Sequence, residues 1–584
     1  MPQNLRTSSL GDRTSRDGDS KLPKPLNPEG GLPRSSVGVD YCLLAAGLLW
    51  ATILTIPIFA NPGNISFSQS APVVDACDFV EVTLNVAGAD AKNPFTEVVV
   101  EGQFGKAGDS KRLSVDGFCD AADGSVFRIR FMPTSPGDYS YAITYRQDGF
   151  TKDYSGTFRA VNGHRRGLVR VDPNYRWHFI WEGTGEHYFW NGTTTYWLMG
   201  WDDEKVIKDS IDRLHALKVN RLRVLIAGRS AQFWSEPIVP GMGFRICLNP
   251  WVAERPDDVS NPGYDFTRYN LPYWQKYERM LTYTRARDMV VSVIFDINDS
   301  KSHPADSGED ERRYFRYGVA RLAAYSNVTW DLGNEFDAYH KNPDAWANNM
   351  GTLLKKWDVY HHLTSAHSMN NRYQYRTSEW FDMTLVQWWP RPLHEWMLGQ
   401  RQEQARTGRI IPQANEEYGY EDHYPRWSPS YPDGASADAN RRAAWQMAMA
   451  GTYQTTGETA KRGTGAWPDT GGGWLNGRGD DTMVMLKGYA HMLDFFTSFE
   501  WWKTEPHDEL VNNGAFCLAE PGKLYAVYLP NGGDVTVNLE PGTYQASWFN
   551  ARNGEALILS KAKGVKWTSP VAPDSGDWAL LLKR

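Results

Sequence analysis

The chain is poor in cysteine. It has five in 584 residues: Cys42, Cys77, Cys119, Cys247 and Cys517. None stands in a CxxC or Cys/His spacing, which excludes the usual zinc and dithiol motifs. No His-x-His pair ends a strand-like segment, and His361-His362 falls at the end of a helical pattern, so we expect no catalytic metal. Cys77 and Cys119 are the pair that a first domain could bridge; unbridged, they read as small buried hydrophobes. An excess of positive charge is also missing. Lys and Arg number 62 against 69 Asp and Glu, a net charge of −7, so no basic field exists to attract nucleic acid. No Gly-rich phosphate loop follows the first strand of the α/β segment, which argues against a nucleotide fold and leaves no cofactor to expect. Tryptophan is absent between Ala51 and Arg176, yet 21 of the 25 lie between Trp177 and Trp502. Flat apolar rings with one N–H donor suit the C–H faces of sugars, or else a large aromatic core.

Residues 1–38 are polar and rich in Ser, Gly and Pro, as a disordered tail would be. Residues 39–60 contain the uncharged run YCLLAAGLLWATILTIPIFA at 41–60, about 30 Å long as a helix. This segment reads as a membrane anchor or a signal peptide. Basic residues precede it, so the remainder is expected outside the cytoplasm, anchored in the membrane or secreted if the segment is cleaved. Residues 76–162 show short alternating strands separated by turn residues, as in a β-sandwich. From 167 to 504, strand and helix patterns alternate and imply parallel βαβ units, close to eight, beginning with a strand at 188–193. The expected fold is multidomain: a central (β/α)8 TIM barrel between two β-sandwiches, the second at 508–584.

Barrel chemistry sits where strands end at the C-terminal face. Two strand patterns run straight into acids: 328–333 into Asn334-Glu335, and 410–415 into Glu416-Glu417. By order these are strands four and seven. Glycoside hydrolysis needs two such groups, one to protonate the leaving oxygen and one to attack the anomeric carbon or activate water. Strand alternation lets only one of Glu416 and Glu417 face the mouth. Asp296, after MVVSVIF, and His367 are further polar strand ends suited to substrate hydroxyls. Trp388 and Trp389 follow strand six and could stack on a sugar, with Trp474 and Arg478 in a Gly-rich loop as rim contacts.

WDLGNEF at 330–336, YFWNGTTTY at 188–196 and EYGYE at 417–421 together resemble the apiosidase-like barrel hydrolases. Asn93-Pro94-Phe95, VDGF at 115–118 and RFMP at 130–133 resemble that family's N-terminal sandwich partner, and the last domain is similar to a collagen-binding-type sandwich. The Asn-Glu pair also looks like the signature of the large clan of retaining barrel glycosidases. The resemblance implies Glu335 as acid/base, Asn334 on the sugar 2-OH, and Glu417 rather than Glu416 as nucleophile. It also implies Arg223, in strand two, as the cation that keeps the nucleophile ionised. Some relatives employ Asp as one catalytic acid, so Asp331 and Asp337 stay in view. The function expected is a glycosidase acting on an external poly- or oligosaccharide; the alternative is a carbohydrate-binding or adhesive surface protein whose barrel is inactive.

Overall fold

The computed structural model describes residues 63–229, 243–297, 303–369, 371–421, 436–458, 472–479 and 481–584. The tail and the apolar run at 41–60 lie outside them; among the described residues no helix is long and apolar enough to cross a membrane.

Eight parallel strands form one sheet: β1 Asn191–Thr194, β2 Arg221–Leu225, β3 Val290–Ile294, β4 Val328–Asn334, β5 Thr364–His367, β6 Thr384–Gln387, β7 Gln413–Glu417 and β8 Tyr453–Thr456. The hydrogen-bonded order runs β5-β4-β3-β2-β1-β8-β7-β6, so β5 and β6 are the two ends. Asp382 N donates to Thr364 O at 2.9 Å, and Ser365 Oγ to Met383 O at 2.8 Å, which nearly closes the barrel across that seam. Helices follow seven strands: α1 Glu204–Ala216, α2 Leu271–Arg285, α3 Glu309–Leu322, α4 Pro343–Trp357, α5 Leu393–Arg406, α6 Ala437–Met449 and α7 Met485–Thr497. Among the described residues none lies between β5 and β6. Side-chain caps start two of them, Asp203 accepting from Lys205 N at 2.8 Å and Ser436 from Ala439 N at 3.1 Å.

Two details depart from the sequence reading. The first barrel strand is Asn191–Thr194, because His187–Tyr188 pairs back onto Phe179–Trp181 in a separate small sheet. The eighth strand, Tyr453–Thr456, which the sequence reading did not assign, carries Gln and Thr. The barrel interior is polar. Register places Arg223, Ser292 and Thr329 side by side, with Asp331 beside Ser365 one layer up. These inward residues are buried, while Leu222 and Val224 point out beneath the helices.

The N-terminal part holds a four-stranded and a five-stranded antiparallel-rich sheet face to face. Phe104 of one stacks on Phe131 of the other at 4.5 Å. Cys77 and Cys119 are both buried and free, so no bridge joins them. Arg130 reaches from this sandwich into the barrel's helices, donating to Glu278 Oε1 at 2.6 Å and to Arg321 O at 2.9 Å. The C-terminal part is built on a sheet containing Phe516–Glu520, Leu524–Leu529, Thr543–Asn550 and Trp578–Lys583, with its own apolar core. Arg441 of α6 pairs with its buried Asp577 at 2.7 Å.

Candidate active site

The barrel mouth is organised by two β-bulges, each an extra residue that re-aims side chains. On β7, Val386 pairs with Asn415 but Gln387 pairs with Glu417, which leaves Glu416 as the extra residue. Asn415 secures the bulge, its Oδ1 accepting from Glu417 N at 3.3 Å and Trp388 N at 3.3 Å. Both glutamates therefore face the barrel axis, which corrects the expectation that alternation admits only one. On β4, Asp331 pairs with Ser365 and Asn334 with His367, three steps against two, so Asp331 and Asn334 both point inward.

The two glutamates meet different surroundings. Glu416 is fully buried; Arg221 Nη1 donates to its Oε1, and Arg223 Nε lies 3.1 Å from its Oε2. Burial opposes its charge, but Arg221, then Arg223 and His367, hold its carboxyl down at about 2. Arg221 is backed by the Trp190 ring, 3.7 Å from its guanidinium. Glu417 is half-exposed at the mouth. Its Oε2 accepts from the Tyr196 hydroxyl at 3.3 Å and its Oε1 from Gln387 Nε2 at 3.2 Å.

Arg223 thus pairs with Glu416, not with Glu417 as the resemblance implied. It reaches Glu417 through Tyr196, donating from Nη1 to that hydroxyl at 2.9 Å. It also donates from Nη2 to Asn334 Oδ1 at 2.7 Å, and Tyr196 OH lies 3.0 Å from the same oxygen. Asn334's carbonyl is therefore occupied, leaving its amide N–H groups for a ligand. His367 is buried with Nδ1 3.0 Å from Arg223 Nη2 and Nε2 3.3 Å from Gln387 Oε1. Its Nδ1 also lies 3.7 Å from Glu416 Oε2, and Gln387 continues the line to Glu417 through its amide nitrogen.

Glu335 follows Asn334 directly and is half-buried in the left-handed backbone region, φ 53° and ψ 36°. A non-glycine residue there costs roughly 1–3 kcal/mol and clusters at functional sites. Burial holds the Tyr196 hydroxyl well above its ordinary range; Arg223 opposes this, and Glu417 and Glu335 add to it. Asp331, inside the barrel, is pushed up to about 7 by burial, with Arg223 pulling down and Glu416 pushing up.

Tyr196 hydrogen-bonds Glu417, and Trp474, Tyr420 and Trp389 extend from it ring to ring. Trp474 is buried, stacks on Tyr420 at 5.1 Å and turns its edge to Tyr196 at 6.2 Å. Trp389 meets Tyr420 edge-on at 5.9 Å. Trp388 instead stacks on Trp396 of α5 at 4.8 Å. Arg478 is exposed, 5.9 Å from the Trp201 ring. Asp296 stands apart: its Oδ1 accepts from Ile297 N at 2.8 Å, its Oδ2 lies 3.8 Å from His303, and burial raises its carboxyl to about 6. Asp337 is engaged by Met369 N at 2.7 Å and ties the loop after β5. The structure thus brings together Glu335, Glu417, Asn334, Arg223, His367, Trp389 and Trp474. The sequence reading missed Tyr196, Gln387, Arg221 and the structural part of Glu416. Tyr196 was visible as a polar residue just past strand one and Gln387 as the polar end of strand six. Asp306, Glu311 and His340 form a separate group that could hold a metal.

Three family models match in chain order: "Domain of unknown function (DUF5060)" over 74–146, "Apiosidase-like, catalytic domain" over 248–457, and "Putative collagen-binding domain of a collagenase" over 507–583. The likeness read from the sequence is present in all three parts. No curated protein matches. Among solved structures, a "putative glycoside hydrolase" from Bacteroides vulgatus ATCC 8482 is similar with TM-score 0.73 and 18% identity, covering 88% of this chain and all of that one. A glycoside hydrolase family 5 structure from the same organism is similar with TM-score 0.54 and 14% identity, covering 72% of this chain and 94% of that one. At these identities the likeness is one of fold.

Proposed function

We propose that this protein is a retaining glycoside hydrolase acting on an extracytoplasmic poly- or oligosaccharide, with Glu335 as general acid/base and Glu417 as nucleophile. One observation carries the reading. The bulge on β7 delivers Glu417 to the mouth, half-exposed and held by Tyr196 and Gln387, while it buries Glu416 between two arginines. A reagent carboxylate must be oriented and reachable. Glu417 meets both needs, whereas the fully buried Glu416 is out of reach of any sugar.

In the first step Glu335 gives its proton to the leaving glycosidic oxygen as Glu417 bonds to the anomeric carbon. In the second, Glu335 takes a proton from water, whose oxygen displaces Glu417 and restores both acids. The two hydrogen bonds to Glu417 orient it and disperse its charge. The Asn334 amide, with its oxygen taken by Arg223 and Tyr196, donates to the sugar 2-OH. Trp474 and Trp389 supply apolar surface beside the Tyr420 ring. The apolar run at 41–60 supports placement outside the cytoplasm, anchored or secreted.

The test is release of reducing sugar from a panel of plant and bacterial polysaccharides and aryl glycosides. The wild-type chain should cleave at least one, releasing the product anomer that matches the substrate. Glu335→Gln and Glu417→Gln should each lose roughly a thousandfold or more. Turnover retained in both variants would sink the two-carboxylate reading, and the opposite anomer would replace retention by inversion.

A further inference from the structure

The turn that carries Glu335 ends in a cluster of ionisable groups that the proposed chemistry leaves unused. One imidazole nitrogen of His340 and one oxygen each from Asp306 and Glu311 lie within 4.8 Å of one another. They come from three places: the segment before α3, the first turn of α3, and the turn after β4. His340 is buried, its ring stacked on Trp346 at 3.6 Å. Its Nδ1 meets Asp306 Oδ1 at 2.9 Å, and its Nε2 is buried with no hydrogen-bond partner. Glu311 is 3% exposed. Its oxygens accept from Trp346 Nε1 at 2.9 Å and Ser307 N at 2.5 Å, but among the described residues no cationic side chain pairs with it. The neighbouring buried Asp296 has only His303, at 3.8 Å.

Two buried carboxylates, Asp296 and Glu311, and the exposed Asp306 therefore face two imidazoles, with no Lys or Arg paired to any of them among the described residues. Buried carboxylates need compensation, which either a proton or a dication provides. Ligand geometry favours the ion: His340 Nδ1 and Asp306 Oδ1 already lie 2.9 Å apart, and one ring nitrogen and one oxygen of each acid lie within 4.8 Å of one another. Ligand atoms about 2.0–2.2 Å from a common ion sit roughly 3–4 Å apart, a small contraction from the present spread. One nitrogen with two carboxylates suits zinc, whereas calcium and magnesium prefer oxygen alone.

We propose that Asp306, Glu311 and His340 bind a divalent transition ion, zinc foremost, which ties the start of α3 to the turn carrying Glu335. The proposal is independent of the glycosidase reading and would stand with an inactive barrel.

The experiment takes the untagged full chain, strips it with chelator and titrates it with zinc chloride, with manganese and calcium chlorides as parallel arms. Metal content after desalting and thermal unfolding are read together. The expected result is about one zinc per chain and a Tm raised by a few degrees at saturation. Glu311→Gln and His340→Gln should lose that stoichiometric zinc and its Tm response, while Asp344→Asn keeps both. Calcium binding in place of zinc would overturn the ion assignment. No zinc retained by the wild type at tenfold excess would overturn the site, whether or not the variants fold. Zinc retained equally by folded variants would overturn it as well.

Discussion

Tyr196 has one hydroxyl proton and two acceptors for it, Asn334 Oδ1 at 3.0 Å and Glu417 Oε2 at 3.3 Å. Arg223 fills one of its lone pairs. Under the proposed mechanism that proton follows charge, staying with Glu417 while the carboxylate is ionised and returning to Asn334 once Glu417 bonds carbon. Tyr196→Phe keeps the ring against Trp474 and removes this donor. We expect kcat to fall by about 10–100-fold with a smaller change in KM, read from steady-state kinetics; an unchanged kcat would remove Tyr196 from the mechanism. Asp331 gives a pH-dependent prediction. Its carboxyl sits near 7 when folded, against about 3.9 unfolded. A raised carboxyl contributes stability below about pH 4, which is lost as pH rises to 7, at about 1.4 kcal/mol per unit of pKa difference. Asp331→Asn removes that loss, so the Tm of the variant minus that of the wild type should be more positive at pH 8 than at pH 5. An equal difference at both pH values would contradict the assigned protonation.

At the scale of elements, β7 sets a fully buried acid beside a half-exposed one, which the proposed function reads as a structural acid and a reagent acid. Removing Glu416 takes from Arg221 its carboxylate partner and leaves Arg223 only Asp331 among the described carboxylates, 4.0 Å away inside the barrel. Glu416→Ala should cost about 3–5 kcal/mol in denaturant unfolding, while Glu417→Gln should stay within about 1 kcal/mol of wild type. Equal costs would mean that the bulge does not divide their roles. The bulge was not legible in the sequence. Alternation over 413–417 predicts one inward glutamate, and only the pairing of Gln387 with Glu417 shows two. Glu335 and Asn334 were legible because an apolar strand runs straight into them. Strand β8 was not, since Tyr453–Thr456 faces a polar interior that needs Gln and Thr. Arg223 was found through the resemblance, which places a cation in strand two, yet its partner was wrong, because Glu416 comes to it through a bulge in another strand.

Across the whole molecule, the order of sandwich, barrel and second sheet-rich part was legible from periodicity, since alternation of 2 and of 3.6 residues marks each part. What joins them was not. Arg130 lies in a strand pattern of the sandwich, and nothing near it in sequence points to Glu278, 148 residues away. That pair is buried, and Arg321 shares Glu278 Oε1 at 2.7 Å. Arg130→Ala should lower stability by about 3–5 kcal/mol and begin to separate sandwich unfolding from barrel unfolding in calorimetry. A single unshifted transition would show that the contact holds nothing together. The proposed metal site was invisible for the same reason: His340 lies far along the chain from Asp306 and Glu311, and their approach depends on where two loops end.

The central claim is that Glu417, not its buried neighbour, attacks the sugar. It is tested most directly by azide rescue on an aryl glycoside that the wild type cleaves. Azide should restore turnover to Glu417→Ala and yield a glycosyl azide of inverted configuration, and it should not do so for Glu416→Gln. Rescue of Glu416→Gln with none for Glu417→Ala would contradict the account.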